Sequence, residues 1–138
     1  MKEALEQVQL WGKLKAATIA VQSALDLNLD NVESSLSQGE RQLFCLARAI
    51  LMDRKIVVLD EATSSVDAKT DALMQLLLRT AFADRTVIAV AHRLDTILDF
   101  DRVVVMDAGK IVEVGPPTGL MQAGGSLFRG LMESQEKK

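Results

Sequence analysis

The sequence predicts an α/β fold, in which helices and strands alternate along the chain. Two short apolar runs rich in β-branched residues, 56–59 and 86–91, have the composition of parallel strands that are buried on both faces. Residues 40–52 and 67–82 repeat apolar side chains at three- and four-residue steps, which is the spacing of amphipathic helices. Because these elements alternate, the pattern favours a parallel sheet flanked by helices.

Shorter elements are predicted on either side of this core. Leu5, Val8 and Leu10 suit one face of a short N-terminal helix. Two apolar segments joined through a turn that contains Gly109 predict a β-hairpin. Short helices are expected on both sides of this hairpin. The predicted segments are 93–98 for a helix, 102–106 and 110–114 for the hairpin strands, and 118–122 and 126–134 for the last helices.

Composition limits the classes of protein to which the chain can belong. Of its 138 residues, 49% are hydrophobic and 25% are charged, which is the balance of a globular domain. The net charge of −3 gives no electrostatic reason to expect a nucleic-acid partner. No uncharged run approaches the roughly 18–20 apolar residues that cross a bilayer, so no membrane span is expected.

A single cysteine, Cys45, cannot form an internal disulfide bond, and this favours a reducing compartment. Its neighbours Leu43, Phe44 and Leu46 are apolar, so we expect its thiol to be buried in the core rather than reactive.

Two carboxylates follow the first predicted strand directly. Asp60 and Glu61 lie where parallel strands place ligands, at the carboxyl end of a buried segment. One hypothesis is that these acids only solvate the end of the strand, and the other is that they mark a binding site. His92 follows the second strand in the same way, where it is either a core histidine with satisfied hydrogen bonds or part of such a site.

The start of the helix over residues 40–52 has a comparable ambiguity. A small hydroxyl at Ser37, a glycine at Gly39 and a helix N-terminus together favour anion binding. Ser37 followed three residues later by Glu40 also has the pattern of a capping box, which is purely structural. The two interpretations are compatible with each other.

Together, these segments resemble the nucleotide-binding domain of ABC transporters. Residues 36–40 are similar to the signature motif, residues 56–61 to the Walker B strand with its acids, and residues 62–67 to the D-loop. The resemblance extends over residues 36–120 and includes the hairpin at 101–115. Residues 42–51 and 61–67 resemble most the second nucleotide-binding domain of multidrug-resistance-associated, or C-subfamily, exporters, with a fungal source as one option.

The resemblance implies a role for each motif. Asp60 would hold Mg²⁺, Glu61 would act as general base on the attacking water, and His92 would be the second catalytic residue. The signature residues would contact the ATP that the opposite nucleotide-binding domain holds, and four residues would form the D-loop. The signature residues are Leu36, Ser37, Gln38, Gly39 and Glu40, and the D-loop residues are Ser64, Ser65, Val66 and Asp67.

The implied fold is a partial P-loop NTPase core with the signature helix of the helical subdomain. The phosphate-binding G-x-x-x-x-G-K-[ST] loop, or Walker A, does not occur in the sequence, because Gly12 and Lys13 are followed by Leu14 and Gln7 stands where the first glycine is required. Such a loop supplies most of the phosphate contacts. We therefore expect the isolated chain not to hydrolyse ATP and its sheet faces to be partly uncovered.

The resemblance also suggests how the chain is organised. Residues 1–35 would be a helix and linker of the helical subdomain, residues 36–132 the C-terminal half of the ATPase domain, and residues 133–138 a tail.

We expect a part of an ATP-hydrolysing domain that works at the cytosolic face of a membrane, with an opposite nucleotide-binding domain and transmembrane domains as partners. The isolated chain is expected in the cytoplasm. Two alternatives stay open at this point: a truncated, non-catalytic protein that engages a complete nucleotide-binding domain, and a pseudogene or gene-model remnant.

Overall fold

Helices and a parallel strand pair make up the first of two units in this computed structural model. The structure describes residues 1–16, 25, 36–60, 66–91 and 93–135. The chain divides into Met1–Val90 and Ala91–Lys138, and each unit is described by itself. Most of the predicted linker, the end of the predicted tail and part of the predicted D-loop lie outside the described residues.

The first unit begins with two short helices and continues with a long one. Helices α1 (Lys2–Gln7) and α2 (Trp11–Ala16) precede α3 (Gln38–Met52), which begins after Ser37 as predicted. Helix α3 ends at Asp53, whose φ of 48° is left-handed and whose N–H donates to the carbonyl of Ile50. Leu43, Leu46 and Ala47 are buried on one face of α3 and Ile50 is half-buried, as the predicted apolar stripe requires, whereas Leu51 at the end of the stripe is exposed.

Two parallel strands place Asp60 at the carboxyl edge of their sheet. Strand β1 (Ile56–Asp60) pairs with β2 (Thr86–Val90) in register, with Asp60 opposite Val90. Helix α4 (Ala68–Thr80) lies between them in the sequence and supplies the crossover that a parallel pair requires.

The prediction that both strands are buried on both faces was wrong. Val57 is buried, but the alternate side chains on the opposite face are exposed: Ile56 to 62%, Val58 to 65%, Ile88 to 52% and Val90 to 55%. Within the described residues, helices cover only one face of this sheet. The exposed face agrees with the expectation of a partly uncovered sheet.

The prediction of a buried Cys45 was also wrong, because its side chain is exposed. Its helical neighbours Leu43, Leu46 and Ala47 occupy the buried face of α3, and Cys45 lies outside that face. Apolar neighbours in sequence therefore did not decide burial, because adjacent helical positions point in different directions.

The core of the first unit contains side chains from each of its described helices and from the inner face of its sheet. Phe82, Met74 and Val8 are each less than 2% exposed. The guanidinium of Arg85 lies 5.0 Å from the Phe82 ring and donates to the carbonyl of Ala49 and to Asp53 Oδ1. Since Ala49 and Asp53 lie at the C-terminal end of α3, a cation there also interacts favourably with the helix dipole.

A hairpin packed against helices forms the second unit. A 3₁₀ turn (Leu94–Ile97) precedes the antiparallel strands β3 (Val103–Asp107) and β4 (Lys110–Gly115), which are followed by α5 (Pro117–Gln122) and α6 (Leu127–Gln135). Ala108 and Gly109 join the strands with φ values of 45° and 74°, as in the two-residue turns that suit strand twist. The predicted hairpin and short helices are confirmed. None of the helices among the described residues combines the length and apolarity that a bilayer crossing requires.

A glutamate on β4 caps the last helix. Glu113 Oε2 accepts hydrogen bonds from Ser126 Oγ at 3.0 Å and from the Phe128 N–H at 2.9 Å. Both donors lie at the N-terminus of α6, where backbone N–H groups have no partner within the helix. This single carboxylate joins the hairpin to the helix beneath it.

We expect Glu113→Ala to destabilise the second unit by about 1–3 kcal/mol, because it leaves two partly buried donors without their charged acceptor. Chemical denaturation followed by amide signals of α6 would measure the change. Glu133→Ala is the matched control, because Glu133 pairs with Arg129 on the exposed face of the same helix and such pairs contribute only about 0.3–0.5 kcal/mol. Equal effects of the two substitutions would contradict the assigned cap.

Candidate functional site

The predicted signature residues form a complete capping box at the start of α3. Ser37 Oγ accepts from the Glu40 N–H at 3.2 Å, and Glu40 Oε2 accepts from the Ser37 N–H at 2.8 Å. Leu36 is buried, whereas Ser37 and Gln38 are exposed. The predicted capping box is thereby confirmed. Ser37, which provides the cap, lies at the surface.

A lysine from a distant part of the sequence completes this arrangement. Lys13, on α2, donates from Nζ to Glu40 Oε2 at a distance of 2.5 Å. This bond, together with the Ser37 N–H, lowers the pKa of Glu40 from its ordinary value. The carboxylate would otherwise oppose an anion at the helix N-terminus, so the ammonium of Lys13 offsets its charge.

Three hydrogen-bond donors at the start of α3 have no acceptor within the helix. The N–H groups of Gln38 and Gly39 precede the first intrahelical bonds and have no partner among the described residues. The hydroxyl of Ser37 uses its oxygen as an acceptor and keeps its proton for donation. Donors of this kind, on an exposed helix start, fit the oxygens of a phosphate group.

Asp60 and the signature helix line the same groove. This groove, with a volume of 480 Å³, lies between α3 and β1 and includes Gln38, Arg41 and Asp60 among its lining residues. Asp60 is exposed at the strand end. An exposed carboxylate that follows a parallel strand fits a Mg²⁺ ligand, since Mg²⁺ prefers oxygen donors and retains several waters.

Asp67, the last residue of the predicted D-loop, caps helix α4. Its Oδ1 accepts from the N–H groups of Lys69 and Thr70, both at 3.0 Å, and its Oδ2 accepts from Thr70 Oγ1 at 2.7 Å. The side-chain bond from Thr70 is the main reason that the pKa of Asp67 lies below its ordinary value. Val66, just before it, is partly buried and packs against the core of the first unit.

Four of the predicted site residues lie outside the described residues: Glu61, Ser64, Ser65 and His92. Their roles stay predictions. Within the part of the chain that the structure describes, no group of three or more His, Cys, Asp and Glu side chains is placed to hold a metal ion.

Comparison of the sequence with known proteins identifies the family of the chain. A family model described as "ABC transporter" matches residues 1–64. The chain is 52% identical over 132 residues to "ABC multidrug transporter B" of Aspergillus fumigatus, which covers 96% of the chain. The chain belongs to the ABC transporter family.

Two other relatives match this ABC transporter chain, and one of them is named as a sub-family C member. It is 45% identical over 135 residues, or 98% of the chain, to "ATP-binding cassette sub-family C member 10" of Mus musculus. It is 51% identical over 107 residues, or 78% of the chain, to "Metal resistance protein YCF1" of Saccharomyces cerevisiae. The chain spans only 9%, 9% and 7% of the length of the three relatives. These matches confirm the predicted resemblance to C-subfamily exporters, fungal ones included.

The fold agrees with that of a solved ABC exporter. The "Structure of a bacterial Atm1-family ABC exporter with ATP bound" aligns with 99% of this chain at a TM-score of 0.79 and 27% sequence identity. The chain covers 23% of that protein. The predicted fold class, a partial ABC ATPase core of α/β type, is thereby confirmed.

Sequence reasoning missed two residues that support the site. Gly12 and Lys13 were considered only as an incomplete Walker A motif, yet Lys13 binds the signature glutamate 27 positions further along the chain. Thr70 received no role, although it donates to Asp67. For Thr70 a local signal existed, since a helix whose N-cap is an aspartate often bonds within its first turn. For Lys13 the sequence carried no such signal.

We expect Lys13→Met to raise the pKa of Glu40 toward its ordinary value of 4.5, because the largest cause of its depression is the bond from Lys13. A depressed carboxylate pKa stabilises the folded chain above 4.5, and this contribution is lost as the pH falls through the folded pKa. NMR titration of the Glu40 carboxyl in both proteins measures the shift. Lys15→Met, on the same helix, is the control, and an unchanged Glu40 pKa in Lys13→Met would contradict the assignment.

Proposed function

We propose that this chain is the signature-bearing part of an ATP-binding and ATP-hydrolysing domain of an ABC exporter, most similar to a second nucleotide-binding domain. The observation that carries the proposal is the start of α3, where Ser37 is exposed with its hydroxyl proton unused and the N–H groups of Gln38 and Gly39 precede the first intrahelical bonds. These donors suit the γ-phosphate of an ATP that an opposite nucleotide-binding domain holds.

The charge at this surface supports the same proposal. Glu40 supplies a carboxylate within the capping box, and the Lys13 ammonium bonds to that carboxylate directly. A phosphate that binds here would therefore contact the N–H groups without repulsion from an unpaired carboxylate beside them. The rigid capping box keeps these donors in place before the ligand arrives, which lowers the entropic cost of binding.

The strand end would supply the metal ligand and the base. Asp60, exposed in the groove beside α3, would hold Mg²⁺, and Glu61 would accept a proton from the attacking water. The metal ion, when bound, neutralises charge on the phosphate oxygens. His92 would act as the second catalytic residue, and residues 64–67 would reach the opposite domain as the D-loop.

In the whole protein, hydrolysis of Mg-ATP would drive export of organic anions or drugs across a membrane. The domain would lie at the cytosolic face, against transmembrane domains of the exporter and an opposite nucleotide-binding domain. The similarity to full-length exporters supports this placement.

The test is nucleotide-dependent association. The chain is mixed with the complete nucleotide-binding domain of the Aspergillus relative in the presence of Mg²⁺ and AMP-PNP, an ATP analogue that is not hydrolysed, and binding is measured by analytical ultracentrifugation. We expect association with AMP-PNP and none with ADP or without nucleotide. Binding that ignores the nucleotide, or no binding at all, would overturn the proposed contact with ATP.

A second measurement separates the partial domain from a self-sufficient enzyme. We expect the chain alone to show no measurable ATP turnover, because the sequence has no G-x-x-x-x-G-K-[ST] segment to hold the phosphates. Turnover that disappears in Glu61→Gln would contradict this expectation, whereas turnover that survives the substitution would indicate a contaminating enzyme.

A further inference from the structure

The predicted signature and the predicted D-loop meet through one side chain. A Cβ placed on Gly39 would lie 3.0 Å from Thr70 Cγ2 and 3.3 Å from Thr70 Oγ1. Gly39 is buried at this point, so its missing side chain leaves room for α4 rather than for solvent. The start of α3 and the start of α4 therefore touch at Gly39 and Thr70.

The same threonine holds the D-loop aspartate. Thr70 Oγ1 donates to Asp67 Oδ2 at 2.7 Å, while Asp67 Oδ1 accepts the N–H groups of Lys69 and Thr70. One side chain thus makes a hydrogen bond with its hydroxyl and a packing contact with its methyl group. The hydroxyl bonds to Asp67, and both the methyl carbon and the hydroxyl oxygen lie against Gly39.

We propose that Thr70 is a positioning residue that couples the D-loop to the signature, so that the carboxylate of Asp67 and the first turn of α3 keep a fixed relative position. A displacement of Asp67 would be transmitted through Thr70 to Gly39, whose N–H precedes the first intrahelical bonds of α3. Thr70 itself contacts no proposed ligand. The functional meaning of this coupling rests on the proposed function, but the coupling is a property of the free chain.

The contact explains why glycine is required at position 39 for a reason other than ligand approach. A Cβ at 3.0 Å from a methyl carbon is closer than side chains normally pack, and the β-branched Thr70 has little freedom to move aside. Replacement of Gly39 by alanine would therefore require the Thr70 side chain to shift by a few tenths of an ångström, even where no nucleotide is bound.

Amide exchange in the free chain tests the coupling without any nucleotide. The reporters are the N–H groups of Glu40 and Arg41, which donate to the oxygens of Ser37 in the first turn of α3. The variants are Asp67→Ser, Thr70→Val and the double variant. Serine still caps a helix but lacks the second carboxylate oxygen, and valine keeps the threonine shape but lacks the hydroxyl.

We expect each single substitution to raise exchange at the two reporters by about threefold or more, and the double substitution to add little, as in residues that share one network. Thr70→Ser, which keeps the hydroxyl and removes the methyl, should also raise exchange. Thr80→Val is the matched control, because that hydroxyl bonds to Leu76 at the far end of the same helix. It should leave the reporters unchanged.

Additive effects of Asp67→Ser and Thr70→Val, or unchanged reporters in Thr70→Ser, would overturn the coupling. The functional role of the coupling is tested by the AMP-PNP-dependent association with the complete nucleotide-binding domain. Thr70→Val should weaken this association by about threefold or more. Unchanged binding there would overturn the functional role of the coupling. If the wild-type chain does not associate with the complete domain but the variants show the expected exchange changes, the proposed function is wrong and the coupling between the two motifs is still supported.

Discussion

Ser37→Arg is expected to weaken strongly the AMP-PNP-dependent association of this chain with a complete nucleotide-binding domain. Ser37 caps α3 and is exposed beside the free N–H groups of Gln38 and Gly39. An arginine cannot accept the Glu40 N–H, and its long side chain would fill the space that a phosphate needs. Loss of the cap and of one bond to a charged ligand each weaken binding, so we expect a decrease of at least about tenfold.

A graded series separates the hydroxyl from the space around it. Ser37→Thr keeps the hydroxyl and the cap, so association should change little. Ser37→Ala removes the hydroxyl without filling space, and its binding should lie between those of the threonine and arginine variants. Amide exchange at α3 in each free variant shows whether the helix start remains intact. Wild-type association in Ser37→Arg would contradict a role for the signature face in nucleotide-dependent binding.

Local patterns predicted much of the architecture correctly. The capping box at Ser37 and Glu40, the hairpin turn at Gly109 and the helix that begins after Asp67 each depend on residues within a few positions of one another. Their physics is short-range, because a cap or a turn satisfies backbone groups in the same segment. The signature could therefore be located from the sequence together with its helix.

Contacts between distant segments could not be predicted in the same way. Lys13 reaches Glu40 across 27 positions, and Thr70 packs against Gly39 from a different helix. The spacing of apolar residues in the sequence does not predict such pairs, because they form only when α2, α3 and α4 pack together. The electrostatics and the mechanical coupling of the proposed site both depend on these tertiary contacts.

Burial was the other property that sequence patterns misjudged. The apolar run of β1 predicted a strand covered on two faces, but Ile56 and Val58 are exposed because described helices pack on only one side. Cys45 is exposed for a related reason, since α3 directs it away from the face that carries Leu46. Composition reports how much apolar surface a segment has, whereas packing decides which part of it is covered.

Phe82→Ala is expected to cost the first unit about 3–5 kcal/mol, among the largest effects that a single core substitution produces. Phe82 is 1% exposed within the core that supports both α3 and β1. Its ring also lies 5.0 Å from the guanidinium of Arg85. Truncation therefore creates a cavity and removes the aromatic partner of a nearly buried cation.

The measurement is residue-resolved amide exchange, which follows the two units of the chain separately. In Phe82→Ala, amide exchange should rise in α3, α4 and β1. It should also rise in the capped turn at Ser37, because this core positions the helix on which the signature lies. Phe82→Leu keeps most of the apolar volume and should have a much smaller effect. Leu76→Ala, at an exposed position of α4, should change stability by less than about 0.5 kcal/mol.

Phe128 offers the matched test in the second unit, where it is also 1% exposed. Phe128→Ala should raise exchange in β3, α5 and α6, which share its core. Unchanged protection of α3 in Phe82→Ala would contradict the assigned core. If Phe82→Ala loosens α3 and also abolishes association with the complete domain, while Leu76→Ala does neither, then the nucleotide contact depends on the packing that holds the signature helix against its sheet.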